Sequence, residues 1–211
     1  MPAWRIPAAL SRPVLPPGRV NPTPAVAFAA QAGVDAGMQS QNPSTVDHAL
    51  FRKVMGSFAS GVTVITTEVR GEVRGMTANA FMSGSLEPPL CIISVGMRAR
   101  IHPLLIEAGH FGVSILAHDQ EQLSTHFAGG PTAGVVPQFV RVGRTPLLAN
   151  TSATLATDVV ARHDCGDHSL FVGHIVHMQA LGRQPLVVHE GRYASLTHSM
   201  ERAPEWVADF W

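Results

Sequence analysis

The stretch Gly75-Met76-Thr77-Ala78-Asn79-Ala80-Phe81, continuing Met82-Ser83-Gly84-Ser85, sets polar side chains among residues with little or no side chain. Thr77, Asn79 and Phe81 alternate with the small Ala78 and Ala80, unlike an ordinary core strand, where Asn is disfavoured. A flat heterocycle such as the flavin isoalloxazine has one hydrogen-bonding edge and one apolar edge. Its site therefore needs main-chain amides and an amide side chain beside small and aromatic residues. Ser83 and Ser85 add two hydroxyls around Gly84, where backbone can approach a ligand closely. The competing reading is a strand that leaves its sheet through a turn at Pro88 and Pro89. These residues alone leave both readings open.

Arg98 and Arg100 follow the apolar run LCIISV and precede a helix that starts near His102. Guanidinium charge beside amides at a helix start suits a phosphate, although two loop arginines are also commonly just solvated. A third group, His163, Asp164, Cys165, Asp167 and His168, carries ligand-type atoms within one short turn. It reads as a polar hairpin turn, as a metal site, or as a turn presenting a histidine to substrate. The other histidines, among them His48, His110, His118, His126, His189 and His198, are scattered without the paired spacing that lets two imidazoles share an ion. No G-x-G-x-x-G follows a strand, so a dinucleotide is not bound by that device.

These residues need a scaffold, and the hydrophobic spacing predicts one. Ser44-Thr45-Val46-Asp47 has the spacing of a capping box and predicts a helix through Phe58, stopped by Gly61. Val46, Leu50, Val54 and Phe58 fall four apart, with Phe51 and Met55 beside them, giving one apolar face to bury. Short β-type runs follow at 62–67, 75–81, 90–95, 111–116, 154–162 and 169–181, then PLVVHE and RYASL. Helical inserts are expected over 102–108 and 119–128, the second capped by Asp119 with Leu123 and Phe127 on one face. The last four strands have no helices between them, which excludes a doubly wound parallel sheet and favours an antiparallel barrel.

The 211 residues suit one domain plus a tail, and their 45% hydrophobic content is enough for a substantial core. Net charge is zero, so bulk attraction to nucleic acid or anionic lipid is absent. No apolar run approaches the roughly 20 residues of a membrane helix. Two cysteines exclude a disulfide framework: Cys91 lies in an apolar strand and Cys165 in a polar turn. The chain reads as soluble and cytoplasmic. Residues 1–43, rich in Ala and Pro, read as a disordered tail. A transit peptide is disfavoured because repeated prolines break the amphipathic helix it needs, and a true start at Met38 is the third reading.

Taken in order, FRKVMGSFASGVTVITT, GMTANAFMSGSLEPPL, FGVSIL, DQEQLSTHFAG, GDHSLFVGHIV and PLVVHEGRYASL closely resemble the flavin reductases that serve two-component flavin-dependent monooxygenases. The resemblance spans residues 48 to about 196. It implies a mainly β domain with α inserts over 44–198, an antiparallel split β-barrel forming a homodimer with flavin at or near the subunit interface, and a C-terminal tail over 199–211. It also implies an NAD(P)H:flavin oxidoreductase that passes hydride from nicotinamide to flavin. Reduced flavin would reach a partner monooxygenase by diffusion or transient contact.

Carried over by position, Thr77, Ala78, Asn79, Ala80, Phe81, Ser83 and Ser85 hold the isoalloxazine and ribityl chain. Arg98, Arg100 and His102 meet the phosphate, and Phe127 contacts the flavin. His168 is the expected catalytic contact to nicotinamide, and Tyr193 sits where the C-terminal segment closes on the dinucleotide. Gly84 replaces the family's usual Val and Ala99 the Ser or Thr often found in the phosphate loop, which leaves the phosphate more dependent on Arg98 and Arg100. FMN is the expected flavin, with FAD open. NADH and NADPH both remain open, Arg192 being a thin pointer to a 2′-phosphate. Two alternatives stand: a flavin-storing or flavin-sensing protein of the same fold, and a metal-binding protein using the His163 to His168 turn.

Overall fold

The computed structural model describes residues 46–130 and 133–196; the expected N-terminal tail and C-terminal tail lie outside the described residues. The elements run α1 (His48–Gly56), β1 (Ser60–Gly61), β2 (Thr63–Val69), β3 (Glu72–Ala78), β4 (Phe81–Ser85), β5 (Leu90–Gly96), α2 (His102–Ala108), β6 (His110–Ile115) and α3 (Glu121–Phe127). There follow β7 (Phe139–Val142), β8 (Thr145–Leu148), β9 (Ala153–Cys165), β10 (His168–Ala180), β11 (Val187–His189) and β12 (Arg192–Ala194). The fold is mainly β, with every strand pairing antiparallel.

Seven strands form one sheet in the order β3-β2-β6-β9-β10-β5-β4. Its first and last strands, β3 and β4, are consecutive in the chain and joined only by Asn79 and Ala80. The segment expected as one strand over 75–81 is thus two strands belonging to opposite sheet edges. Small sheets of β1-β11-β12 and β7-β8 flank this one. The β7-β8 hairpin, turning at Gly143-Arg144, was not among the expected strands: its exposed Arg141 and Val140 disguise the alternation.

Consecutive residues of β2 enter different cores. Ile65 belongs to a cluster with Ile93, Val95, Leu105, Phe111, Val113 and Phe171, while Val64 joins Val62, Leu116, Leu148 and Leu186. A strand covered on both faces reads as a continuous run rather than an alternation, which is why VTVITT carries no period of two. The threonines inside it give their hydroxyls to main-chain carbonyls: Thr63 to Ala78 at 2.7 Å, Thr66 to Pro146 at 2.5 Å and Thr67 to His110 at 2.9 Å. Burial therefore leaves no unpaired donor there. Gly173 of β10 lies under the Phe111 ring, where a Cβ would come within 2.6 Å of the ring carbon Cζ.

Both expected helix caps are corrected. Asp47 is the N-cap of α1, its carboxylate accepting from the Ala49 amide at 2.9 Å, and the helix ends at Gly56 rather than Phe58. Ser44 and Thr45 lie outside the described residues. Asp119 does not cap α3; its carboxylate accepts from Arg183 Nη2 at 2.7 Å, and Gln120 takes the cap position without a side-chain bond. An ion pair with a distant arginine outcompetes the local amides. The apolar face of α1 is also not buried as expected: the helix has no buried residue, and Phe58 beyond it is 77% exposed.

Candidate functional site

The expected site residues fall into three groups. Thr77 and Ala78 end β3, and the Thr77 hydroxyl donates to the Ser124 carbonyl of α3 at 2.6 Å. Tyr193, brought in by β12, donates its hydroxyl to Ser124 Oγ at 2.9 Å. Phe127, on the same helix, lies against Gly75, where an added Cβ would come within 2.6 Å of its ring. Ser124 was not singled out in the sequence, since a serine inside a short helix carries no signal, yet it is 2% exposed and ties β3 to β12 through Thr77 and Tyr193.

The second group is the corner between the sheet edges. Asn79, Ala80 and Ser83 are exposed, and Phe81 and Ser85 are partly buried. Among the described residues the side chains of Asn79, Ser83 and Ser85 have no protein hydrogen-bond partner. Because β3 pairs only with β2 and β4 only with β5, each edge has main-chain groups that its own sheet does not use. The β4-β5 register skips Gly84, where a Cβ would sit 3.3 Å from Ile92 and 3.4 Å from Leu90. A larger residue would press on β5, so the glycine permits the bulge rather than simply emptying the site. The turn at Pro88 and Pro89 is also present, so the structural reading of this stretch and the ligand reading hold together.

The third group lies at the C-terminal end of β5, where the Ser94 amide also donates to the Ala80 carbonyl of the corner at 3.0 Å. Gly96 pairs with His168, the first residue of β10, and the Met97 amide donates to the Asp167 carbonyl at 2.9 Å. This brings the loop at 97–101 beside the β9-β10 turn. His168 Nδ1 is 2.7 Å from Asp167 Oδ1. That hydrogen bond, then the charge of His168 and to a lesser degree that of Arg98, holds the Asp167 carboxyl below its ordinary value. The imidazole thereby has one nitrogen fixed, and 47% of its side chain is open to solvent. His102 Nε2 is 2.9 Å from Ser169 Oγ, which in turn donates to Asp164 Oδ1 at 3.0 Å. Ser169 was given no role from the sequence and Asp164 only that of a candidate metal ligand, because only the hairpin register and the packing of α2 bring them to His102.

The amides of this loop are scarcer than expected for a phosphate cradle. Those of Met97, Ala99 and His102 are donated to Asp167, Gly96 and Ala99, and Pro103 has none. The side chains of Arg98 and Arg100 are different. Of the ten described arginines, six face an acid (Arg70, Arg74, Arg141, Arg144, Arg162 and Arg183), while Arg52, Arg98, Arg100 and Arg192 make no ion pair among the described residues, the charge of Arg98 reaching the Asp167 carboxyl only at longer range. Unpaired guanidinium groups are available to an anionic ligand. The donor set therefore fits a flavin with a phosphate: an amide side chain and edge main chain at Asn79, hydroxyls at Ser83 and Ser85, and free cations at Arg98 and Arg100.

The metal alternative is not supported. Among the described residues no three His, Cys, Asp or Glu side chains gather to hold an ion. The turn is a hairpin whose partners are His168 with Cys165, Ser169 with Asp164 and Leu170 with His163, and alternation sends neighbouring side chains to opposite faces. Clefts of about 360, 320 and 310 Å³ lie elsewhere, by Asn150 and Arg183, by Gln120 and Gln138, and by Arg70 and Leu104. Among the described residues no helix is long and apolar enough to cross a membrane, and both cysteines are free.

Comparison with known proteins agrees in one direction. The family described as flavin reductase like domain matches residues 55–197. An NADH-dependent flavin reductase of Rhodococcus sp is 45% identical over 148 residues, 69% of this chain and 84% of that protein. The reductase component of 4-hydroxyphenylacetate 3-monooxygenase from Thermus thermophilus is 41% identical over 148 residues, 69% of this chain and 95% of that one. Among solved structures, flavin reductase PheA2 in its native state superposes with a TM-score of 0.71 at 41% identity, covering 72% of this chain and 100% of that chain.

Proposed function

Because the chain belongs to the flavin reductase-like domain family, we propose that it is an NADH-dependent flavin reductase, the reductase component of a two-component monooxygenase. The observation that carries this reading is the pair of unpaired arginines, Arg98 and Arg100, on a loop pinned beside the half-open His168 ring. When bound, flavin and nicotinamide supply the redox chemistry themselves, hydride passing from nicotinamide C4 to flavin N5.

The chain's own task is alignment. Asn79, with the free main chain of the β3 and β4 edges, holds the hydrogen-bonding edge of the isoalloxazine; Ala78, Ala80, Phe81 and Phe127 take its apolar parts, and Ser83 and Ser85 the ribityl hydroxyls. Arg98 and Arg100 bind the phosphate. Asp167 fixes the His168 ring so that its other nitrogen and its face meet the nicotinamide. Tyr193, tied to Ser124, anchors the C-terminal hairpin beside Thr77 on the flavin side. FMN is the flavin we propose, with FAD as the alternative.

The large sheet is read as a split barrel, and the two-residue link between its edge strands β3 and β4 supports that reading. The uncovered face of α1, with exposed Met82 and Leu86, is what a second copy of the chain would cover in a homodimer. The domain is taken as residues 44–198, and two free thiols suit a cytoplasmic site.

The test is steady-state oxidation of NADH and NADPH with FMN, FAD and riboflavin in turn, for wild type and His168→Ala. Removing the ring should raise KM for NADH about ten-fold, the worth of one good stacking contact, while flavin affinity stays within about two-fold. Unchanged NADH dependence removes His168 from the role. Tight flavin binding with no nicotinamide oxidation replaces the reductase by a storage protein.

A further inference from the structure

Ser124 stands inside α3 at a position only 2% exposed, where alanine is the better helix former and a buried hydroxyl is a cost unless it is used. It is used, and so is the carbonyl of the same residue. The carbonyl oxygen has two lone pairs and accepts twice, from the Ala128 amide at the helix end at 3.0 Å and from the Thr77 hydroxyl of β3 at 2.6 Å. The hydroxyl oxygen accepts from Tyr193 Oη of β12 at 2.9 Å. β12 depends on that contact. It is an edge strand of three exposed residues that pairs only with β11 and makes no other side-chain hydrogen bond among the described residues. The turn of its hairpin is held separately, the Glu190 amide donating to the Gly56 carbonyl at 2.9 Å. With its hydroxyl fixed and 42% of the residue exposed, Tyr193 presents ring surface outward.

We propose that Ser124 is a positioning residue for the nicotinamide dinucleotide: its carbonyl holds the strand that carries the flavin, and its hydroxyl holds the Tyr193 ring against which the dinucleotide packs. The inference rests on the flavin reductase reading and deepens it. β3 and β12 belong to different sheets, so no ladder of strand pairing sets their spacing. One buried residue that bonds to both supplies the common reference. The two arms are also separable, because the flavin side uses the main chain of Ser124 and the dinucleotide side uses its side chain. Losing the hydroxyl therefore releases Tyr193 while the Thr77 contact stays in place.

The test is a double-mutant cycle of Ser124→Ala and Tyr193→Phe, which remove the same contact from its two ends and keep the helix and the aromatic ring. Tyr193→Phe changes a partly exposed residue, so it reads the contact even where Ser124→Ala fails to fold. Wild type, both single variants and the double variant are compared for KM and kcat with NADH at saturating FMN, and for FMN affinity by fluorescence titration. Each single variant should raise KM for NADH about five-fold, the worth of one hydrogen bond, with kcat and FMN affinity within about two-fold. The double variant should match the single ones, since the contact can be lost only once. FMN affinity that falls together with the rise in KM, single effects that multiply in the double variant, or an unchanged KM overturns the proposal. Wild-type protein that binds FMN but oxidises no NADH overturns the reductase reading instead.

Discussion

Gly75→Ala tests whether α3 is seated where the site needs it. An added Cβ would lie 2.6 Å from Phe127 Cε1 and 2.7 Å from Cδ1, about 1 Å short of van der Waals contact. The third neighbour, the Ile65 carbonyl at 3.5 Å, is undisturbed. The phenyl ring cannot simply swing away, because it is edge-packed on His126 at 4.8 Å and on Phe139 at 6.4 Å. Overpacking of this kind costs about 1–3 kcal/mol. In the folding equilibrium that is roughly a five- to 150-fold loss. The assay is urea unfolding of wild type, Gly75→Ala, Phe127→Ala and the double variant. With the ring removed, Gly75→Ala should be neutral to within about 0.5 kcal/mol, since the methyl group then meets open space. FMN affinity should fall in Gly75→Ala under conditions where it stays folded, because Phe127 is displaced from the flavin. Equal loss in both backgrounds refutes the clash, and a stability loss with unaltered FMN binding refutes the role of Phe127.

Two further outcomes are expected. The Asp167 carboxyl, held below its ordinary 3.8 by the His168 hydrogen bond, should titrate closer to that value in His168→Ala when followed by carboxyl-carbon NMR. A depressed folded value means that its stabilising contribution is present above the unfolded value and is lost as pH falls through the folded one, so identical titrations in the two proteins would refute the contact. Burial pushes the Cys91 thiol up to about 11, whereas Cys165 is exposed. At about pH 8 a thiol reagent should therefore label one cysteine per native chain and both after denaturation, and labelling of Cys91 in the native chain would contradict its burial.

Local chemistry along the chain was enough for much of this protein. The short β-type runs separated by turn residues specify an antiparallel, mainly β fold. Six motifs in order specify the family, and Asn79 among alanines marks a position no core strand would choose. Local patterning misleads where a distant partner wins. Asp119 carries every feature of a cap, yet Arg183 takes its carboxylate. The run at 75–81 looks like one strand, yet it breaks at Asn79 so that its halves can pair with β2 and β5. The apolar face of α1 reads as buried, yet the described residues do not cover it. Only tertiary structure decides which side chains share a site, because that depends on register. Pairing Ser169 with Asp164, packing α2 across them, and setting Tyr193 on Ser124 are contacts between residues separated by 5, 67 and 69 positions. Periodicity carries information over one element at a time, whereas these contacts are fixed by how the sheet folds back on itself.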